Sequence, residues 1–202
     1  MSYNAGKDTI SDSLKTLIPE SFLIFRDKRL LVLMTTPVSD RSLLINDFLK
    51  EYDLYFALSD GFYDLYNLNK YIKEADAALR LKDLCFNKKR IINYDDVKPY
   101  RLLETLGQKD LLEYCDHRVI LLNEYDKNHR SELVETLYTY LFLGKSINLT
   151  AKKLYLHRNT INYRIQKIKG LIDLDEKTLD LNLYQSCNII RFLRWRELSD
   201  TN

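Results

Sequence analysis

The sequence contains few of the residues that interrupt regular structure, and it has no long apolar run. Only five Gly and three Pro occur in 202 residues, which favours a helix-rich chain with short connections. The formal net charge is only +2, so the total charge gives no argument for a nucleic-acid partner. No run approaches the roughly 20 apolar residues of a membrane span, and the N-terminus lacks the segments of a signal peptide. These absences predict a cytoplasmic protein without membrane association.

Cysteine and histidine are also scarce and scattered. The three cysteines are Cys85, Cys115 and Cys187, and the three histidines are His117, His129 and His157. An odd number of cysteines without a CxxC pair indicates thiols in a reducing compartment. The histidines and cysteines have no metal-ligand spacing. We therefore expect no metal site and no cofactor.

Residues 1–96 alternate helix-like and strand-like patterns. The expected elements are a helix over 8–18, hairpin strands over 22–25 and 30–35, a helix over 41–51, a strand over 54–59, a helix over 68–85 and a strand over 90–94. Asp40 is expected to cap the second helix, with Leu44, Phe48 and Leu49 facing inward. This order predicts an α+β domain with its helices on one face of a sheet.

From residue 97 onward the patterns are helical only. Helices are expected over 100–106, 109–115 and 118–125, followed by a polar joint over 126–130. Ser131 and Glu132 open a further helix with Leu133, Leu137, Tyr140 and Leu141 on one face, and Gly144 ends it. We predict three parts: a small α+β domain (1–96), a helical connector (97–130) and an all-α helix-turn-helix domain (131–202).

Residues 148–171 predict two short helices joined by a tight turn. Asn148 suits the N-cap of a helix over 149–154, in which the small Ala151 lets a second helix cross closely. Tyr155, Leu156 and His157 form the connection, with Leu156 as its buried anchor. A positive φ at the first turn residue would be unfavourable for a bulky side chain such as Tyr155.

The second helix, about residues 158–171, has one apolar and one polar face. The apolar stripe is Ile161, Ile165, Ile168 and Ile172. At about 100° per residue, the opposite face carries Asn159, Asn162, Tyr163, Gln166 and Lys167. Arg158 and Thr160 lie at the N-terminal end, where a recognition helix touches base edges.

The charge around this motif favours a phosphate backbone. No Asp or Glu occurs from Thr136 to Ile172, a span with seven Lys or Arg. Arginine suits guanine, asparagine suits adenine and a threonine methyl suits thymine, whereas lysine and tyrosine suit phosphates. For Arg164, a phosphate contact and an internal salt bridge are both compatible with its position. The predicted DNA-binding residues are Lys152, Lys153, His157, Arg158, Asn159, Thr160, Asn162, Tyr163, Arg164 and Lys167.

These residues also carry a family resemblance. The segments ELVETL at 132–137, AKKL at 151–154, HRNT at 157–160 and YR at 163–164 resemble the C-terminal DNA-binding domain of the PucR/CdaR family. That family comprises bacterial transcription regulators of purine and sugar-diacid catabolism and related pathways. The resemblance covers about residues 131–195. It implies that Arg158, Asn159, Thr160, Tyr163 and Arg164 belong to the recognition helix, and that the helix after Asp180 packs against the motif.

The preceding region resembles the degenerate GGDEF-like domain of the same family, in truncated form. The matching segments are FALS at 56–59, EA at 74–75, AL at 78–79, INY at 92–94 and LL at 102–103. An active nucleotide cyclase of that fold carries a GGDEF-type loop between its hairpin strands. Here the loop at 26–29 is RDKR, without a glycine pair or a carboxylate pair for a metal. We therefore expect no catalytic residues, and no room for a separate N-terminal sensor domain.

The sequence thus predicts a sequence-specific DNA-binding transcription regulator. Its recognition helix enters the major groove, and a homodimer on paired half-sites is expected. The N-terminal domain and middle helices would serve dimerisation or the sensing of an effector of unknown identity. Two alternatives remain, a GGDEF-related enzyme that handles nucleotides and a protein-interaction module with a basic face.

Overall fold

The chain forms two units in a computed structural model that describes residues 3–26, 29–35, 37–85, 90–174 and 180–200. The N-terminal unit contains Met1–Leu79 and Asn87–Tyr94. The C-terminal unit contains Arg80–Phe86 and Asp95–Asn202. The C-terminal unit therefore includes the helices of the expected connector together with those of the expected helix-turn-helix domain.

The N-terminal unit mixes helices with short strands, in the expected order. Its described elements are α1 (Tyr3–Leu17), β1 (Ser21–Arg26), β2 (Arg29–Met34), α2 (Ser42–Glu51), β3 (Phe56–Leu58), α3 (Leu68–Arg80) and β4 (Ile91–Asn93). α3 ends at Arg80, and residues Lys82–Leu84 form a separate 3₁₀ turn. The α+β character of this region is therefore confirmed.

The expected single sheet is wrong for the described strands, which form two separate pairs. β1 and β2 are an antiparallel hairpin in which Phe22 lies opposite Leu33. β3 and β4 are parallel, with Phe56 opposite Ile91. Each of these parallel strands has only three residues, half the length of the hairpin strands. Residues 27 and 28, the middle of the RDKR loop expected in place of a GGDEF-type loop, lie outside the described residues.

The core of the N-terminal unit joins α1 and α2 to the inner faces of the strands. Leu14 and Ile18 pack with Ile45, Phe48 and Leu49, and partly buried strand residues cover them. Ile45 is 1% exposed, because it lies three and four residues before Phe48 and Leu49 on the same helix face.

Two expectations for α2 are therefore corrected. Leu44 is 61% exposed, since the buried stripe is centred one residue later. Asp40 does not stand directly before the α-helix, because the 3₁₀ turn Val38–Arg41 already includes it. The expected start of the helix at residue 41 is replaced by Ser42.

The regular secondary structure described for the C-terminal unit is entirely helical. After the 3₁₀ turn come α4 (Tyr94–Leu103), α5 (Gln108–Glu113), α6 (His117–His129), α7 (Leu133–Phe142), α8 (Ile147–Leu154), α9 (Arg158–Leu171) and α10 (Asp180–Ser199). α4 begins six residues before the expected position and contains Pro99. Asp95 and Asp96 in its first turn favour this early start, because carboxylates stabilise the positive end of a helix dipole.

The expected joint at 126–130 is wrong. α6 continues to His129, and Arg130 alone takes a left-handed conformation with φ of 50°. Asp126 is 4% exposed and forms hydrogen bonds to the start of α7. The helix therefore continues because this aspartate is bound inside the unit.

α7 lies at the centre of the C-terminal unit and packs against α6, α8, α9 and α10. Leu133 and Leu137 are buried as expected, but Tyr140 and Leu141 are only partly buried. Val134, Thr136, Tyr138 and Thr139 are buried in addition, because a helix with neighbours on several sides is covered around most of its circumference. The helix after Asp180, α10, packs against α7, which itself packs against both motif helices, α8 and α9. A direct contact of α10 with the motif stays a prediction. Gly144 follows α7 with φ of 64°, as expected for a residue that ends a helix.

In the described residues, no helix is long and apolar enough to span a membrane. Within the same ranges, no group of His, Cys, Asp and Glu side chains is arranged to hold a metal ion.

Candidate nucleic-acid interface

The first helix of the motif, α8, is capped by Ser146 rather than by Asn148. The Ser146 hydroxyl accepts a hydrogen bond of 3.3 Å from the backbone N–H of Leu149. Asn148 lies inside the first turn and is exposed. Ala151 is only 7% exposed, and α8 packs against both α7 and α9. The expected role of Ala151 as a close-packing residue is confirmed.

The turn between α8 and α9 contains a positive φ at Tyr155, which is unfavourable for so bulky a side chain. Tyr155 is left-handed, with φ of 54° and ψ of 38°, and its side chain is 95% exposed. The backbone carbonyl of Ala151 accepts hydrogen bonds from the N–H groups of Tyr155 and Leu156. Leu156 is half-buried rather than buried, because the turn lies at the surface.

His157 caps α9. Its Nδ1 accepts a hydrogen bond of 3.2 Å from the backbone N–H of Asn159. The imidazole is exposed, so His157 also lies at the edge of the surface that α9 presents.

α9 begins at Arg158 as predicted, and its two faces divide as predicted. Ile161 and Ile168 are 0% exposed, Ile165 is 2% and Ile172 is 4%. The opposite surface consists of the exposed residues Arg158, Asn159, Thr160, Asn162, Tyr163 and Gln166; we call these six residues the polar face of α9. Because α9 is anchored by four isoleucines, this face is held by a packed core and remains open to a ligand.

Lys167 is partly occupied by a neighbouring helix. Its ammonium nitrogen lies 5.3 Å from the centroid of the Tyr125 ring in α6. The hydrogen bond between these two side chains raises the pKa of Lys167. The lysine therefore stays charged at neutral pH, and it points toward α6 rather than straight outward from the polar face.

Arg164 forms the internal ion pair, one of its two expected roles. Its guanidinium donates to Glu132 Oε2 at 3.2 and 3.3 Å. It also donates to the hydroxyl of Thr136 at 3.1 Å. Both partners lie at the start of α7, so Arg164 fastens the recognition helix to the central helix. A phosphate contact by Arg164 stays a prediction.

Two further basic residues lie in the last turn of α8, the helix that packs against α9. Lys152 is exposed at the end of α8, and Lys153 is half-buried beside it. The span 136–172 still holds seven cations and no acidic residue. A phosphate backbone on this surface would meet positive charge and no carboxylate from within the motif.

Comparison with known proteins finds a family match for this part of the chain. Residues 133–187 match the PucR C-terminal helix-turn-helix domain. This segment is therefore similar to a helix-turn-helix domain of the PucR type. It contains α7, α8, α9 and the first part of α10, and the polar face of α9 belongs to its second motif helix.

Three regulators of Bacillus subtilis (strain 168) are similar to this chain. The proline-responsive transcriptional activator PutR is 31% identical over 60% of this chain and 30% of its own length. The DNA-binding transcriptional activator AdeR is 26% identical over 76% of this chain and 40% of its own length. The purine catabolism regulatory protein is 32% identical over 58% of this chain and 22% of its own length. The chain thus spans less than half the length of these relatives. No solved structure matches it.

Several residues that support the helix-turn-helix segment carry no recognisable signal in the sequence. Ser146 and Asn148 cap equally well by residue type, so the pattern does not single out Ser146. Glu132 and Thr136 gave no sign of their contact with Arg164, which is distant in sequence. Asp126 looked like part of a solvated polar run.

Proposed function

We propose that this chain binds DNA sequence-specifically through the polar face of α9 and acts as a transcription regulator. The observation that carries the proposal is the division of α9 into a buried isoleucine stripe and an exposed, acid-free polar face. The match of residues 133–187 to a helix-turn-helix domain supports it. Two similar proteins are named as transcriptional activators, one of them as DNA-binding.

The chemistry of the polar face suits base edges in the major groove. Arg158 can donate two hydrogen bonds to O6 and N7 of guanine, and Asn159 or Asn162 can pair with adenine. The Thr160 methyl suits the thymine methyl. The proposed phosphate contacts come from Lys152, Lys153, His157, Tyr163, Arg164 and Lys167. Phosphate contacts would fix the register, and the first turn of α9 would supply discrimination.

We further propose a cytoplasmic homodimer without enzymatic activity. One motif reads few base pairs, so two copies on half-sites about 34 Å apart would be needed for selectivity. We retain the division into residues 1–96, 97–130 and 131–202. The first part is proposed as a truncated GGDEF-like domain that serves dimerisation or effector sensing. The parallel pair β3 and β4, joined through α3, is compatible with an α+β domain of that kind.

The test begins with selection of bound fragments from the source genome by the full chain. Fluorescence anisotropy then gives Kd for a selected fragment and for a scrambled one. Arg158→Ala and Asn159→Ala should each cost about 1–3 kcal/mol on the selected fragment and relax its base preference. Lys152→Ala should weaken binding to both fragments alike and reduce the slope of log K against log salt by about 1. Asn128→Ala, an exposed asparagine of α6, is the matched control and should change neither value.

Two results would contradict the proposal. One is equal affinity of the wild-type chain for selected and scrambled DNA with a steep salt dependence, which would point to a general basic surface. The other is unchanged affinity and preference in both Arg158→Ala and Asn159→Ala.

A further inference from the structure

We propose that α6, which precedes the matched segment 133–187, positions the DNA-binding helix through Arg118, Tyr125 and Asp126. This inference rests on the proposed function and deepens it. The three side chains touch the C-terminal half of α9, the segment just after it or the start of α7, and none of them belongs to the polar face. They are therefore positioning residues and not DNA contacts.

Asp126 connects α6 to the start of α7. Its carboxylate accepts hydrogen bonds from the Ser131 hydroxyl at 2.6 Å and from the N–H groups of Leu133 and Val134 at 2.7 and 3.0 Å. Arg194 of α10 donates to the same carboxylate at 3.0 Å. Two of the N–H groups that a helix leaves without intrahelical partners are thus satisfied, and the negative charge stands at the positive end of α7.

The start of α7 in turn holds the recognition helix. Glu132, which binds Arg164 of α9, lies between Ser131 and Leu133 in the chain. Because Asp126 binds the residues on both sides of Glu132, it fixes the backbone from which that carboxylate extends. Asp126 therefore acts on α9 through one intervening residue.

α6 also holds the C-terminal half of α9 directly. Arg118 donates to the backbone carbonyl of Asp173 at 2.8 Å, just beyond the end of α9. Asp116 keeps this guanidinium in place through contacts of 2.7 and 3.0 Å. The hydrogen bond from Arg118 lowers the pKa of Asp116, so the pair is ionised at neutral pH. Farther along the same helix, Tyr125 contacts Lys167.

These contacts share one face of α6. Arg118 and Tyr125 are seven residues apart, which is about two helical turns. Val119 and Leu122 lie between them and are 0% exposed. α6 therefore contacts α9 near Lys167 and just after its end at Asp173, with buried apolar residues between the two contacting side chains of α6. We infer that this arrangement restricts the movement of the C-terminal half of α9.

The orientation of α9 should affect base discrimination more than general affinity. Hydrogen bonds to base edges require the side chains to stand within about 0.5 Å of their productive positions. Attraction to phosphates depends mainly on charge and tolerates small shifts. Variants that loosen α6 while preserving net charge should therefore lose specificity and keep non-specific binding.

The main variant is the double change Arg118→Lys and Tyr125→Phe in the full chain. Lysine keeps the charge but not the forked geometry that spans Asp116 and Asp173. Phenylalanine keeps the ring but removes the hydroxyl. The matched control is Arg101→Lys with Tyr114→Phe; Arg101 belongs to α4, and Tyr114 is 76% exposed. Asp126→Asn tests the third contact separately.

The first measurement is the ratio of Kd for scrambled DNA to Kd for a selected fragment. We expect the main variant to lower this ratio about tenfold, with Kd for scrambled DNA unchanged and the control at the wild-type ratio. An unchanged ratio in both the main variant and Asp126→Asn would overturn the inference. If the wild-type chain itself shows no preference, the proposed function fails, and the second measurement decides about α6.

The second measurement needs no DNA. Amide hydrogen exchange by mass spectrometry should show faster exchange in residues 165–172 of the main variant than of the wild-type chain, with no change in α8. Equal exchange in those residues would overturn the positioning role. A uniform increase over the whole C-terminal unit would also overturn it, because that pattern indicates general destabilisation.

Discussion

Tyr155 offers a sharp test of local backbone energetics, because its conformation is unfavourable and its side chain is not packed. It has φ of 54° and ψ of 38° and is 95% exposed. A left-handed conformation costs an L-residue with a Cβ atom roughly 1–2 kcal/mol. Glycine avoids that cost, but its larger freedom in the unfolded chain removes about 0.4–1 kcal/mol of the gain. Tyr155→Gly should therefore raise the free energy of unfolding by about 0.5–1 kcal/mol.

Tyr163→Gly is the matched control, for which we expect the opposite change in the free energy of unfolding. Tyr163 is also largely exposed, at 66%, but it lies inside α9, where the conformation is right-handed. Glycine in a helix interior is about 0.5 kcal/mol less favourable than tyrosine on helix-propensity scales. The same substitution should therefore stabilise the chain at one position and destabilise it at the other.

The measurement is urea unfolding followed through Trp195, the single tryptophan of the chain. Trp195 lies in α10, within the C-terminal unit that also holds both tyrosines. A lower midpoint for both glycine variants would refute the reasoning, since it would mean that the Tyr155 side chain stabilises the turn by more than its backbone conformation costs. Tyr155→Asn should also stabilise, because asparagine tolerates the left-handed region.

Two further predictions concern titratable groups of the C-terminal unit. Burial raises the pKa of the Cys115 thiol to about 11, so iodoacetamide should modify it slowly at pH 7.5 and faster as the pH approaches that value; a rate equal to that of glutathione at pH 7.5 would contradict this. The Arg118 hydrogen bond lowers the pKa of Asp116 below its unfolded value, which is about 3.9. The wild-type chain should thus have a higher free energy of unfolding than Asp116→Asn, and this difference should be complete at a pH above the unfolded-state pKa of Asp116. The difference should decline as the pH falls through the folded-state pKa. Urea midpoints at several pH values measure this, and a difference independent of pH would count against it.

The recognition helix could be predicted from the sequence because its burial follows its period. Isoleucines spaced four, three and four residues apart define one stripe, and all four are buried. The start of α9 was also predictable, since the polar residues at 157–160 mark a break in the apolar pattern. Both properties depend on residues that are close together in the chain.

Helix starts were less predictable where two capping residues compete. Ser146 and Asn148 have similar capping ability, and sequence pattern alone gives no preference. The structure begins α8 at Ile147 with Ser146 as its cap, two residues before the expected start. The shift from Leu44 to Ile45 in α2 has the same origin, because three apolar residues in a row leave the buried position undetermined.

Asp126 shows why the end of α6 could not be derived from local pattern. A run such as DKNHR at 126–130 is usually a solvated connection, since isolated charges are rarely buried. Here the carboxylate is 4% exposed because its partners are supplied by α7 and by Arg194, which is 68 residues farther along the chain. Burial without those partners would be strongly unfavourable, so the run is helical only in the presence of α7 and α10. Residues 126–129 therefore continue α6 instead of forming a joint, and the Asp126 carboxylate connects this helix to α7 and α10.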